Sequence, residues 1–318
     1  MYKFTSQPIR LGISACLLGD KVRFDGGHKR SAYCTGELAA HVEFVRICPE
    51  MAIGLGAPRP GIRQVQTDDG IRIQTVDGTR DVTTPLQRYC DDKVEALHNI
   101  SGYILCAKSP TCGMERVMVY KPGSHHGSKR GQGLLAAALK RRWPQLPIEE
   151  EGRLHDAGLR ENFFTRVYAH HDWQQLCQSG LTRQKLTHFH ARYKYLLLAH
   201  CPRLYRQLGP LLADGGSAVD DIASRYFVMF MSALQHQASR SNHTSALQHI
   251  QGYFKKCLSP AQKAELGQTI MDFRQGLKPL WVPLTLINHY LREFPSPYIA
   301  QQVYLNPHPQ ELKLRYAY

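Results

Sequence analysis

Leu11-Gly12-Ile13-Ser14-Ala15-Cys16-Leu17-Leu18-Gly19 opens the chain's first regular pattern. Its short apolar run reads as a buried strand over Leu11–Ala15, and a cysteine stands where the strand runs out. The arrangement recurs. Phe44–Ile47 reads as a second strand followed by Cys48-Pro49-Glu50, and Tyr103–Ala107 as a third, with Ser109-Pro110-Thr111-Cys112-Gly113 in the loop after it. A further strand is expected around Leu146–Ile148, and helices at Thr35–Val42, Pro85–Asn99 and Gly133–Arg142 return the chain between strands. Short apolar runs alternating with helical patterns predict an α/β fold with a mostly parallel, Rossmann-like sheet and flanking helices. In such a sheet the carboxyl ends of the strands open on one crevice. Cys16, Cys48 and Cys112 can therefore meet there without being neighbours in sequence. Ile71–Val76, between Asp69-Gly70 and Asp77-Gly78, reads as a local hairpin outside the main sheet.

From about Leu159 the periodicity becomes helical. Leu186, Phe189, Tyr193, Leu196, Leu197 and Leu204 mark one long helix. Phe227, Phe230, Met231 and Leu234 mark a second, and Leu247, Ile250, Tyr253, Phe254 and Cys257 a third. Ser259, Pro260 and Gln262 form the start signal of a further helix, and Gly276 its stop. The sequence thus predicts an α/β domain over residues 1–157 and an all-α domain over 158–318.

The composition excludes several classes. With 318 residues, 43% hydrophobic and 21% charged, the chain is expected to be globular rather than disordered. It carries no apolar signal-peptide core near Met1 and no run long enough for a membrane span, so a cytoplasmic protein with no membrane partner is expected. Nine scattered cysteines do not read as a disulfide framework. Cys106 is expected to pack inside its strand, and Cys177, Cys201 and Cys257 on helical stripes. Cys34 and Cys90 remain unassigned, as do His125 and His126. The net charge of +14 is shared by both parts and favours a polyanionic partner.

Three soft thiolates on loops shaped by Gly19, Pro49, Pro110 and Gly113 point to a metal centre with one open position. Zinc is compatible with three cysteines, but no CxxC knuckle or histidine pair accompanies them. A [4Fe-4S] cluster fits the ligand softness better. Glu50, beside Cys48, is placed to activate water, or else to cap a helix. Ser109 is placed to donate a hydrogen bond or proton, or else to shape the turn before Pro110. Gly127-Ser128-Lys129-Arg130-Gly131-Gln132-Gly133 could present backbone N–H groups to an anion before the next helix, but lacks the phosphate-loop spacing of a nucleotide hydrolase.

These stretches, with Val22-Arg23-Phe24-Asp25-Gly26-Gly27, resemble the thiouracil desulfidase (TudS) family over most of residues 8–150. His190-Ala191-Arg192-Tyr193-Lys194-Tyr195 and Gln248-His249-Ile250-Gln251-Gly252-Tyr253-Phe254-Lys255-Lys256 resemble the YbgA-type helical domain, and the fused pair is similar to the RudS desulfidases. The resemblance implies a [4Fe-4S] cluster on Cys16, Cys48 and Cys112, catalytic roles for Glu50 and Ser109, and hydrolytic, non-redox removal of sulfur from thiolated uracil, above all 4-thiouridine in tRNA. The open iron would draw electron density from the thiocarbonyl while water adds to the ring carbon. Asp25 would orient the uracil edge or organise its loop, and Lys108 would attract phosphate or support the cluster. Lys185, Arg192, Lys194, Lys255 and Lys256 would contact RNA, with no obligate protein partner. Two other readings stand beside this one: an enzyme that carries sulfur into RNA through the open iron, and a non-catalytic iron–sulfur RNA-binding sensor. The sensor needs neither Glu50 nor Ser109.

Overall fold

A computed structural model describes residues 8–316, which form two compact units dividing between His155 and Asp156. The first unit runs β1 (Ile9–Ser14), α1 (Ala32–Thr35), β2 (Val42–Ile47), α2 (Pro49–Ala52), β3 (Ile62–Thr67), β4 (Gly70–Thr75) and α3 (Thr83–Glu95). It continues through β5 (Gly102–Leu105), β6 (Val117–Tyr120), β7 (Gly127–Gly131), α4 (Leu134–Arg142) and β8 (Ile148–Glu150).

The main sheet has the order β2-β1-β5-β8, with every pair parallel. Ser14 lies opposite Ile47, Ile13 opposite Ile104 and Leu105 opposite Glu150. Four strands therefore end at one level. Gly12 belongs in β1 because a side chain there would overlap the buried ring of Tyr103 on β5: a Cβ would lie 2.2 Å from its Cδ2.

A second sheet, β4-β3-β6-β7, was not anticipated beyond its hairpin. β3 and β4 pair antiparallel from Ile62↔Thr75 to Thr67↔Gly70, so Ile71–Val76 is largely one arm of a hairpin outside the main sheet, as its flanking Asp-Gly pairs suggest. The glycine-rich stretch expected as a loop is in fact edge strand β7 up to Gly131, and only Gly133 caps α4. The helix expected over Thr35–Val42 is also replaced. Ser31 accepts a hydrogen bond from Cys34 N and starts a single turn earlier, Gly36 ends it, and Val42 already belongs to β2.

The second unit is helical: α5 (Ala157–Gln178), α6 (Arg183–His200), α7 (Pro202–Leu212), α8 (Val219–Gln235), α9 (Arg240–Gln251), α10 (Pro260–Gln275), α11 (Trp281–Glu293) and α12 (Pro297–Ala300). Ser259 and Gln262 make the full capping box, and Gly276 takes the left-handed conformation that stops α10. Two expectations fail. The long helix breaks at Cys201 because Pro202 cannot continue it, so Leu204 lies on α7. The third stripe ends at Gln251, leaving Tyr253 and Cys257 exposed, and Cys177 is exposed as well. Among the described residues no helix is long and apolar enough to cross a membrane.

Burial lowers the pKa of His200 to about 4 and of His308 to about 3, and takes His243 well below its ordinary value. The unfolded chain binds protons on these rings first, so their stabilising contribution is complete above pH 6.5 and is lost as pH falls toward 4. Glu161 works in the opposite sense, raised by burial to about 7. With His170 and His190, which burial also lowers to about 4, five rings outweigh one carboxyl. In urea unfolding of the full chain carrying Trp143→Phe, the fluorescence transition of Trp173 and Trp281 should lose on the order of a few kcal/mol between pH 7 and pH 5. His308→Asn should reduce that loss; a profile flat with pH would contradict it.

Candidate active site

Because the parallel strands end level, the residues just beyond them face one cavity of about 500 Å³. Cys16 follows β1, Cys48 follows β2, Cys106 follows β5, and Cys112 arrives on the next loop; all four line the cavity. Cys106 was expected to be packing. The apolar run Tyr103–Ala107 predicts a strand through Ala107, whereas β5 ends at Leu105, which gives Cys106 the same place relative to its strand as Cys48. Its backbone N–H donates to Ser14 Oγ at 3.0 Å, tying the ends of β1 and β5 together.

The Ser109–Gly113 turn presents Cys112. Ser109 Oγ accepts from the N–H groups of Thr111 (3.2 Å) and Cys112 (3.1 Å), and Gly113 N donates to Ser109 O at 2.8 Å. Gly133 closes against this turn, where a Cβ would lie 2.4 Å from Thr111 O. Ser109 therefore shapes the turn while its hydroxyl stays on the cavity wall, able to donate its proton. Glu50 sits in the first turn of α2 and is only 7% exposed. The Cys48 thiol donates to Glu50 Oε2 at 3.3 Å.

The thiols feel burial and one another. Burial first, then the Glu50 carboxylate, pushes Cys48 up to about 12 and Cys112 well above its ordinary value. Interaction with Cys106, then burial, raises the pKa of Cys16, while interaction with Cys16 lowers that of Cys106. Lys29 stands opposite, paired with Glu151; burial opposes its charge, but Glu151, Cys106 and Cys16 together raise its pKa. Glu151 also accepts from Ala107 N at 2.8 Å.

Among the described residues no three His, Cys, Asp or Glu side chains crowd closely enough to hold one metal ion. The thiols surround a volume instead of a point. Soft sulfur donors around such a volume, with Arg23, Lys29 and Arg59 on the same wall, fit an anionic iron–sulfur cluster. Binding would displace the protons that burial holds on the thiols.

Other expected site residues fall differently. Lys108, in a left-handed backbone conformation, lines the cavity. Asp25 does not: it is half-exposed, accepts from Gly27 N at 3.0 Å and stands 3.7 Å from Arg23 Nε, which makes it the loop's turn former. Phe24 and Arg59, not singled out from sequence, do line the cavity, and Arg59 N holds the loop by donating to Phe24 O at 2.8 Å.

In the helical unit the basic residues expected to contact RNA are partly engaged. Arg192 pairs with Asp172 at 2.9 Å in a largely buried setting, and Lys185 Nζ donates to Ser179 O (2.6 Å) and Gly180 O (2.9 Å), closing the end of α5. Lys194 is half-buried, its ammonium 5.3 Å from the Tyr195 ring centre. Lys255 and Lys256 are exposed.

A level parallel sheet carrying a thiol-ringed cavity, followed by an all-helical unit, defines the class. Residues 11–151 match the family described as 2-thiouracil desulfurase, and residues 194–309 match a family of unknown function, DUF1722. The uncharacterized protein YbgA of Escherichia coli K12 is 35% identical over 154 residues, covering 48% of this chain and 91% of that protein. A solved structure titled [4Fe-4S]-dependent thiouracil desulfidase TudS is 29% identical, covers 46% of this chain and 93% of its own, and superposes with a TM-score of 0.39. The chain belongs to the YbgA family, in a form whose residues 11–151 match the 2-thiouracil desulfurase model ahead of the YbgA-type helical domain.

Proposed function

We propose that the protein is a [4Fe-4S]-dependent desulfidase that removes sulfur from thiolated uracil, converting 4-thiouridine in tRNA to uridine with release of sulfide. One observation carries the reading. Cys16, Cys48 and Cys112 reach a single cavity together with a buried carboxylate and a hydroxyl, Glu50 and Ser109. When bound, the cluster supplies an iron Lewis acid for the thiocarbonyl sulfur. The net reaction is hydrolysis: water gives its oxygen to the ring carbon, and sulfur leaves as sulfide. Glu50 takes the proton of the incoming water, and Ser109 offers its own to the pyrimidine as the carbon–sulfur bond breaks. Arg23 and Arg59 add positive charge beside leaving sulfide.

Phe24 supplies a flat apolar face on the cavity wall and is 48% exposed. Aromatic stacking on a base contributes about 1–3 kcal/mol. Phe24→Ala should therefore raise KM for a thiolated pyrimidine by about 5- to 150-fold with little change in kcat, and Phe24→Tyr should restore it. An unchanged KM would remove Phe24 from the binding surface.

The choice of tRNA rests on the +14 charge and on exposed lysines such as Lys255 and Lys256. Binding should weaken as salt rises, and replacing both lysines by alanine should flatten the log–log slope by about 1.5. An unaltered slope would place the RNA contact elsewhere. The deciding experiment incubates the iron-loaded full chain anaerobically with tRNA containing 4-thiouridine and analyses the nucleosides. Uridine and sulfide should appear in equal amounts; tRNA that keeps all its sulfur would overturn the proposal.

A further inference from the structure

The ligand set of the proposed reaction uses three of the four thiols in the cavity and leaves Cys106 without a role. Cys106 is not placed like an ordinary core residue. It is buried, follows the end of β5 directly, and lines the same cavity as Cys16, the residue two places beyond β1. The strands that carry the pair are hydrogen-bonded neighbours, and the Cys106 N–H bond to Ser14 Oγ fixes their ends. Cys16 is partly exposed in a cavity that admits small solutes. The other cavity thiols are placed differently, with Cys48 engaged by Glu50 and Cys112 held on its own turn.

We propose that Cys16 and Cys106 are a reversible disulfide site that closes the cavity to its cluster: oxidation by a small-molecule disulfide such as glutathione disulfide joins them, and a dithiol reopens them. The inference rests on the reading of Cys16 as a ligand. The accessible partner attacks a sulfur of glutathione disulfide, forming a mixed disulfide and releasing one glutathione. The second protein thiol attacks that bond and releases the other. Two S–H bonds are lost from the protein, one S–S bond forms, and two electrons and two protons leave on two molecules of glutathione. A sulfur committed to this bond cannot ligate iron.

The pair suits this step through proximity. Paired strands lie about 4.8 Å apart, so thiols just beyond the ends of β1 and β5 on one cavity wall start within the backbone separation a disulfide spans, whereas residues far apart would need backbone movement. Cys34 and Cys90 are buried but do not line the cavity, so they do not compete there. Cys177 and Cys257 are exposed and would take up glutathione on their own account, so both are best replaced by serine in the test protein.

The experiment treats cluster-free full-length chain, carrying Cys177→Ser and Cys257→Ser, with glutathione disulfide, then maps its peptides by mass spectrometry without reduction. A linked peptide containing Cys16 and Cys106 is expected, short of two hydrogens and free of glutathione. Iron and sulfide offered anaerobically to the oxidised protein should give only background cluster absorbance until dithiothreitol is added. Adding Cys106→Ser should abolish the linkage and allow full loading after the thiols are freed of glutathione. Glutathione retained singly on Cys16 or Cys106, a bond from Cys16 to Cys48 or Cys112, or full loading of the linked protein would each overturn the proposal. Peptide mapping needs no iron, so a reduced protein that never takes up a cluster would defeat the desulfidase reading while leaving the linkage to be judged separately.

Discussion

Replacing Cys16, Cys48 or Cys112 singly by alanine should remove both the visible absorbance of the anaerobically reconstituted protein and its desulfurising activity. Wild-type chain should hold about four iron and four sulfide. The effect should be nearly complete, because a cluster with three protein ligands has none to spare and its free iron position is needed by substrate. Folding should survive. Cys16 and Cys48 are only partly buried, and the sheet is held by Leu11, Ile13, Ile104 and Leu105, none of which the substitutions touch. Removing one buried sulfur from Cys112 costs on the order of 1 kcal/mol, far less than the stability of a domain. Far-UV circular dichroism of the cluster-free variants should match cluster-free wild type. Cys90→Ala, buried but off the cavity wall, is the internal control and should keep its iron. A full cluster in any of the three variants would show that Cys106 or another donor had been overlooked as a ligand.

The main sheet was legible because β1 and β5 are largely apolar runs, β2 sets Phe44, Val45 and Ile47 among charged residues, and each has punctuation at its end, where a parallel sheet brings the ends to one level. The second sheet was not. β6 is four residues long, and β7 is Gly-Ser-Lys-Arg-Gly, polar and mostly exposed, so no hydrophobic alternation marks it. Its pairing with β6 comes from chain geometry. Cys106 was misplaced by a boundary error of two residues, the kind of difference that local propensity cannot resolve. Lys185 and Arg192 on α6 misled for another reason. A charge run looks solvated in sequence, but Asp172, on the preceding helix, takes Arg192, and the carbonyls at the end of α5 take Lys185. Partners brought together by helix packing leave no mark at any fixed spacing. Capping is the opposite case: Ser259, Pro260, Gln262 and Gly276 act within one or two turns, so the start and stop of α10 were readable to the residue.

Glu50→Gln should lower kcat for desulfurisation by about 10²- to 10⁴-fold while leaving iron content and substrate affinity near wild type, as expected when a general base is lost. Glutamine has nearly the same volume, and its carbonyl oxygen can still accept the hydrogen bond that the Cys48 thiol gives Glu50 at 3.3 Å. It cannot take a proton from water. The position is costly to keep unless the charge is used: the carboxylate is nearly buried, and its field raises the pKa of Cys48, Cys90 and Cys112, opposing the thiolate forms that metal binding requires. The substitution therefore has a second, opposite signature. Without that charge, Cys48 and Cys112 should ionise more readily, so the variant should load its cluster at a lower pH than wild type even as turnover collapses. Ser109→Ala is a less clean comparison, because Ser109 Oγ also holds the backbone of Cys112, and lost activity there must be read against iron content. Wild-type kcat in Glu50→Gln with a full cluster would reduce Glu50 to a partner of Cys48, and the water would then need another base.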